Sequence, residues 1–347
     1  MRNSTIASIV LLNFNGRRFV KDCMATVFQQ DYRSYEIILV DNGSRDGSVE
    51  LLQEIACHYP NVPFKVIRNK VNLGYSVGNN QGVEMASGKY IVLLSNDIRV
   101  EPDWLSSMVG VLEDRDDIAV AQSQMYSLYA PSVPDPQANY LDVLGLCHRY
   151  LPTQKIAEVF YSEGACMFIR RATLAETGGL FDSDYIMFNE DVDFCWRAKL
   201  LGHKVCVVPQ SKAFHARGGT VAGVLIKTQP LFTFSTSRNR LTTLYKNYEL
   251  RNVFRFLPLT LAFEGLKCMW LIFNGRHRAG VSGLKGVVAF LVDLRKTQRK
   301  RILVQRMRKV SDETIVSQML SLKDAIRSST TYAVEITREW RRGSPSI

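Results

Sequence analysis

The sequence predicts an α/β fold, a mainly parallel central sheet flanked by helices, with a helical, basic C-terminal extension. Three observations carry this. Short, β-branched apolar runs at 6–12, 35–40, 64–67 and 90–94 alternate with segments of helical periodicity. Each run ends in a polar, turn-rich segment: NFNG, DNGSRDGS, RNKVNLGYSVGNNQG and SNDIRVEPDW in turn. Beyond about residue 230 the pattern becomes helical and basic, with no new series of strands.

Continuous apolar runs of this length read as strands covered on both faces, as in a parallel sheet. Between the first two, Phe19, Val20, Cys23, Met24, Val27 and Phe28 recur at helical spacing, and after the fourth so do Trp104, Leu105, Met108, Val109 and Leu112. Alternating strands and helices wind right-handedly. Ser44 and Asp46 stand where they cap a helix starting at Val49, and EPDW supplies the start of the helix after the fourth strand. From 131 to 152 the periodicity is lost and Pro131, Pro134, Pro136 and Pro152 punctuate the chain, which reads as a long excursion rather than a regular element. Order returns with a strand at 165–170, a helix near 171–177, the turn GGLFD, a helix near 191–201 ended by Gly202, and a short strand at 205–208. At 347 residues the chain holds one large α/β domain, 1–230, and an appendage, 231–347.

The composition, 46% hydrophobic and 22% charged, is that of a folded chain and excludes a disordered one. The 44 Lys and Arg exceed the 33 Asp and Glu by 11, which favours acidic partners, and 295–309 alone holds eight basic residues and no acidic one. No aromatic interleaving or nucleic-acid module accompanies these charges, so nucleic acid is not an expected partner. Seven cysteines without a CxxC pair exclude a disulfide scaffold and a zinc knuckle and point to a reducing cytosol. The first apolar run is too short for a signal-peptide core. The stretch 254–273 is interrupted by Arg255, Glu264 and Lys267, so it reads as interfacial rather than spanning.

In a wound parallel sheet, ligands bind beyond the carboxyl ends of the strands. Asp41 stands at such an end, where a carboxylate accepts the imide N–H of a pyrimidine; in isolation DNG would be only a turn. Ser95, Asn96 and Asp97 follow another buried run, and a carboxylate there can ligate Mg²⁺ or Mn²⁺ held mainly by a diphosphate. The segment NLGYSVGNNQG, with Gly74 and Asn79, lets backbone approach a phosphate or ribose closely. In FNEDVDFCWRAKL, Glu190, Asp191 and Asp193 open a helix, where the macrodipole alone would favour anions. A general base also needs reach into a cleft; only one or two of the three can point inward, and Asp191 is favoured. His215 is followed by Arg217 and two glycines, a combination suited to a diphosphate and its metal, although a lone histidine is more often structural.

Taken together, SIVLLNFNG, EIILVDNGSRDGS, NLGYSVGNNQG, YIVLLSNDIRVEPDWL, SEGACMFIRRATLAETGGLFD and FNEDVDFCWRAKLLGHKV resemble glycosyltransferase family 2, in particular its rhamnosyltransferase-like branch, over roughly 5–220 and in the family's order. The resemblance implies the GT-A nucleotide-diphospho-sugar transferase fold and an inverting transfer. It makes 1–120 a nucleotide-binding half and 121–230 an acceptor half. Asp191 becomes the catalytic base. Asp97, with His215, holds Mg²⁺ or Mn²⁺, with Ser95 where the family's DxD motif carries its first carboxylate. Leu12, Asn13, Asn15, Asp41, Asn42, Gly74, Asn79, Asn96, Glu190 and Arg217 become the candidate nucleotide and substrate contacts. The QxxRW signature of processive members is missing after Asp191, which implies transfer of one residue per encounter. The implied donor is dTDP-rhamnose or a UDP-sugar, and the acceptor a lipid-linked or cell-surface glycan. The implied location is cytoplasmic, peripheral on the inner face of the membrane, with 254–309 either meeting an anionic surface or packing on the catalytic domain. A catalytically silent nucleotide-sugar binding scaffold is the alternative. A nucleotidyltransferase would need a triphosphate loop that NFNGRR does not supply.

Overall fold

The computed structural model describes residues 6–134, 137–150, 154–216, 229–321 and 323–325; Arg217 lies outside the described residues. The wound half runs β1 (Ala7–Asn13), α1 (Arg17–Phe28), β2 (Tyr35–Asp41), α2 (Ser48–Cys57), β3 (Phe64–Arg68), α3 (Tyr75–Glu84) and β4 (Tyr90–Ser95). There follow β5 (Ile98–Val100), α4 (Trp104–Asp114), β6 (Ile118–Ser127), β7 (Ala130–Pro134), β8 (Gln137–Leu141), β9 (Cys147–Tyr150), β10 (Ala157–Glu158), β11 (Cys166–Arg170), α5 (Arg171–Glu176), α6 (Glu190–Leu200) and β12 (Lys204–His215). Five helices complete the described chain: α7 (Pro230–Asn247), α8 (Leu250–Phe273), α9 (His277–Val292), α10 (Leu294–Met307) and α11 (Asp312–Ser317).

The main sheet has the order β10-β12-β6-β11-β4-β1-β2-β3, with β5 added to β12 and β7 to β6. Along this path β12, β6, β4, β1, β2 and β3 run one way, and β10 and β11 run against them. The sheet is therefore mixed but mostly parallel. Alternate residues of each central strand feed opposite cores, which is why the runs read as continuously apolar. Ile9, Leu11, Ile37, Leu39, Val92 and Leu94 meet Val20, Met24 and Phe28 of α1 and Trp104, Met108 and Leu112 of α4. Val10, Ile38, Val40, Ile91 and Leu93 belong to the other core, which includes Trp196 of α6 and extends to Leu244, Phe256, Val304 and Ile315 of the C-terminal helices. The wound half and the described C-terminal helices thus share one apolar core.

Several expectations are corrected. The 64–67 run is not covered on both faces: β3 is the sheet's edge, and its residues are half-buried or exposed. The 131–152 stretch is not a structureless excursion, because β7 pairs antiparallel with β6 and β8 with β9. Its prolines misled; Pro131 and Pro134 sit on a strand that pairs on one side only among the described residues, where a missing N–H is tolerated. The short strand expected at 205–208 continues to His215 across a shift in register between Val208 and Lys212. Pro209 in that irregularity hides the continuation from a pattern search. Ser44 does not cap α2, which begins at Ser48 after Gly47; Asp46 instead accepts from Ser48 N at 3.1 Å.

Candidate active site

The site follows one edge of the sheet, where β2, β1 and β4 end side by side and β11 begins. Asn13, fully buried as the last residue of β1, links the first two ends. Its Nδ2 lies 3.0 Å from Asp41 Oδ1, 3.1 Å from Ser44 Oγ and 2.9 Å from Ser48 Oγ. Its Oδ1 accepts from Asn96 Nδ2 at 2.8 Å, which joins the end of β4 to the same network. Leu12 beside it is half-buried and packs on the core. Asp41 Oδ2 accepts from the backbone N–H groups of Gly43 (3.2 Å) and Ser44 (3.0 Å), so one carboxylate closes the DNGS turn. Asn15, with φ of 49°, accepts from Arg45 N at 3.0 Å and ties the first loop to the second. A cleft of about 220 Å³ opens along this loop, lined by Asp41, Ser44, Arg45, Asn69 and Lys70 among others.

The third loop is fixed from both sides. Asn42 Nδ2 donates to Gly74 O at 3.0 Å, and Tyr75 N to Ile186 O at 2.7 Å. Gly74 has φ of 87°, and a Cβ there would meet Ile186 O at 2.7 Å, so this position excludes a side chain on two counts. Asn79, also buried, spends its amide on Tyr75 O within α3.

Glu190 and Asp191 are delivered by an unusual turn. Phe188 and Asn189 both have φ of 68°, a conformation a bulky aromatic residue rarely adopts. Asn239 of α7 holds it, its Nδ2 donating to Met187 O at 3.0 Å and to Phe188 O at 2.8 Å. Asp191 is half-buried, with Oδ2 accepting from Gly164 N at 3.2 Å and Oδ1 from Val192 N at 2.8 Å. Burial pushes its carboxyl up from 3.8 to about 6; the two backbone N–H groups oppose the shift and Glu163 adds to it. Glu190 is buried with Oε2 unpartnered, and burial, then the charge of Asp191, hold it well above the usual carboxylate range. Tyr75 shares their field: burial and these two carboxyls raise its phenol. Asp193, by contrast, is fully buried and bound by Arg197 (3.0 Å), Lys246 (3.0 Å) and Asn247 (3.0 Å), which makes it structural.

The two halves meet at β11. Ser95 N donates to Ala165 O at 2.8 Å, and Gly164 N binds Asp191, so only a few bonds separate the end of β4 from the acid pair. Just after β4, buried Asp97 lies with Oδ1 3.2 Å from His215 Nε2. His215 Nδ1 is buried without a partner among the described residues. Among the described residues no three His, Cys, Asp or Glu side chains converge to hold a metal. One carboxylate and one imidazole do fit a divalent ion that takes its remaining ligands from a diphosphate. Arg217 lies outside the described residues. The sequence reading missed Asn239, Tyr75 and the Gly164 N–H. Small polar residues, Asn239 among them, are interspersed along α7, but that they are buried is seen only in the structure.

Residues 8–177, just under half of the chain, match the family model "Glycosyl transferase family 2". An uncharacterized glycosyltransferase of Haemophilus influenzae is 30% identical over 125 residues, 36% of this chain and 38% of the relative. Poly-beta-1,6-N-acetyl-D-glucosamine synthase of Staphylococcus epidermidis is 22% identical over 219 residues, 62% of this chain and 51% of the synthase. The chain thus spans only about a third to a half of the length of these curated relatives. Among solved structures, the mannosyltransferase PcManGT of Pyrobaculum calidifontis, in complex with GDP-Man and Mn²⁺, superposes with a TM-score of 0.54 at 13% identity. That match covers 83% of this chain and 87% of the mannosyltransferase, and it shows the shared GT-A fold. Residues 8–177 are thus similar to glycosyltransferase family 2, on a fold shared with the GT-A glycosyltransferases.

Proposed function

We propose that this protein is an inverting glycosyltransferase that moves one sugar from a nucleotide-diphosphate donor to an acceptor hydroxyl. The supporting observation is the row of Asp41, Asn13, Asn96 and Asp97, ending at a half-buried Asp191 whose carboxyl burial pushes up to about 6. At neutral pH Asp191 is ionised yet more basic than an ordinary aspartate, so it can take the acceptor's proton as that oxygen attacks the anomeric carbon opposite the departing nucleotide. Glu190, whose carboxyl is held above the usual range by burial and then by the charge of Asp191, stands beside that base with a buried, unpartnered Oε2. The network of Asn13, Asp41 and Asn96 orients the base and ribose, with Leu12, Asn15, Asn42, Gly74 and Asn79 shaping the same walls. A divalent ion held by Asp97 and His215 would neutralise charge on the leaving diphosphate.

In this reading 1–120 binds the nucleotide, 121–230 the acceptor, and the helices from Pro230 to Ser317 form the extension. Branch resemblance favours dTDP-rhamnose, and a UDP-sugar is the other candidate. The likeness to a poly-beta-1,6-N-acetyl-D-glucosamine synthase of Staphylococcus epidermidis supports a glycan acceptor; we assign a lipid-linked or cell-surface one, reached from the cytoplasmic face of the membrane. Calorimetric titration with UDP, dTDP and GDP, paired with assays of donor turnover, tests the proposal. A preferred nucleotide whose sugar form is consumed supports it. Tight binding with no turnover of any donor would instead favour the silent scaffold.

A further inference from the structure

We propose that the outward face of α8 and α9 is a bilayer-docking surface that lies in the plane of an anionic membrane and does not cross it. The inference rests on the peripheral location proposed above, but not on the sugar chemistry. Helix α8 has the length and hydropathy of a spanning segment. Its inner stripe, however, is packed into the protein along the whole helix: Val253, Phe256, Thr260, Glu264, Cys268 and Leu271 are buried. Glu264 is fully buried there, ion-paired to Arg240 of α7 and to Lys267 and hydrogen-bonded by Ser237. Crossing a membrane would strip this carboxylate of Arg240, so the helix stays where it is packed.

The opposite face of α8 carries Ala262, Leu266, Met269, Trp270 and Phe273, with no charge among them over its last three turns. Leu266 is 72% exposed, Trp270 58% and Phe273 80%, too much large apolar surface on one helix face to be incidental. On α9, Val281, Val288, Leu291 and Val292 are exposed as well. Cations frame this surface: Arg251 and Arg255 at the start of α8, Arg276 and Arg278 between the helices, and Lys285 on α9, all exposed. None of the five makes an ion pair among the described residues. The segment 250–310 holds 14 Lys and Arg but only two acidic residues, Glu264 and Asp293, and Arg238 pairs the second.

Charge decides what covers this face. In a two-fold dimer the same patch meets itself, which would bring cation against cation. An anionic bilayer offers apolar depth for the aromatic residues and negative headgroups for the rim. The surface is also tied to chemistry. Helix α9 approaches α7 so closely that a Cβ on Gly286 would lie 2.4 Å from Phe234 O, and α7 carries Asn239, which holds the turn before Glu190 and Asp191. An acceptor with a lipid tail in the same bilayer would meet a site braced against that bilayer.

The test is sedimentation of the full chain with phosphatidylcholine vesicles, with and without phosphatidylglycerol. The chain should pellet with the anionic vesicles, and less so at high salt, where the Debye length shrinks from about 10 Å at 0.1 M to about 3 Å at 1 M. Trp270→Ser with Phe273→Ser should lower the partition coefficient roughly tenfold or more while leaving circular dichroism and nucleotide binding unchanged, because both side chains are exposed. Arg276→Glu with Arg278→Glu should remove the preference for anionic vesicles. If the parent binds and the Trp270/Phe273 variant binds equally well, this face is wrong and the peripheral location survives. If the parent binds no vesicle, both fall. A concentration-dependent dimer abolished by the same variant, without vesicle binding, would show that a second copy covers the face.

Discussion

Replacing Asp191 by Asn should abolish transfer and, at the same time, stabilise the protein at neutral pH. Burial raises the Asp191 carboxyl from 3.8 to about 6, so the native state resists the charge that catalysis requires. A shift of that size corresponds to about 3 kcal/mol, a ceiling for a half-buried group whose charge water partly screens. Against this gain, Asn keeps one acceptor oxygen where the carboxylate used two, for Gly164 N and Val192 N, a loss of about 1 kcal/mol. The net expectation is roughly 1–2 kcal/mol of added stability, a rise in Tm of a few degrees for a chain of this size. The sign depends on pH. Because the folded pKa is raised, the native state keeps its proton longer than the unfolded chain, and parent stability falls as pH climbs from about 4 to about 6. The advantage of Asp191→Asn should therefore be full above about pH 6 and vanish below about pH 4. Thermal melts of both proteins across this range, with product formation measured in parallel, provide the assay. A variant less stable than the parent at pH 7.5, or one that still transfers sugar, would refute the reasoning.

The other predictions follow from the same geometry. The pH profile of kcat/KM for the parent should rise through an apparent pKa near 6, reporting the coupled Glu190–Asp191 pair; a flat profile between pH 5 and 8 would remove Asp191 as base. Asn239→Ala frees the carbonyls of Met187 and Phe188, so about 1–3 kcal/mol of stability and most of kcat should be lost while calorimetric nucleotide affinity holds; undiminished kcat would show that the turn needs no such support. Asp97→Asn should raise the Mn²⁺ concentration needed for half-maximal donor turnover by tenfold or more, and His215→Ala should do so less strongly; parent activity unaffected by EDTA would contradict any metal role. Gly74→Ala should lower Tm by several degrees, because its Cβ has no room beside Ile186 O; an unchanged melt would mean the third loop can move aside.

The wound half of the fold was legible because its central strands β1, β2 and β4 are buried on both faces, and continuous runs such as 90–94 leave little ambiguity. The loops at their carboxyl ends could be ranked as sites from topology alone. Legibility failed where local rules are relaxed by position. Pro131 and Pro134 mark a loop in a pattern search, yet β7 carries them at one-sided pairing. Pro209 concealed the second half of β12 and with it the fact that His215 ends a strand facing Asp97 across 3.2 Å. The roles of Glu190, Asp191 and Asp193 could not be separated by spacing, since three acids at one helix start look alike. Burial and partners separate them: Asp193 meets Arg197 and Lys246, whereas Glu190 keeps an unpartnered oxygen. Asn239 depends on a contact between residues about fifty positions apart, which no periodicity encodes.

The central claim is that Asp191 serves sugar transfer from a nucleotide-diphosphate donor, and released nucleotide diphosphate across a panel of dTDP-, UDP- and GDP-sugars measures it most directly. The parent should consume one donor preferentially in the presence of Mn²⁺ and acceptor lipid extract, and Asp191→Asn should consume none while binding the same nucleotide with unchanged affinity. Equal nucleotide release by the two proteins would contradict the account.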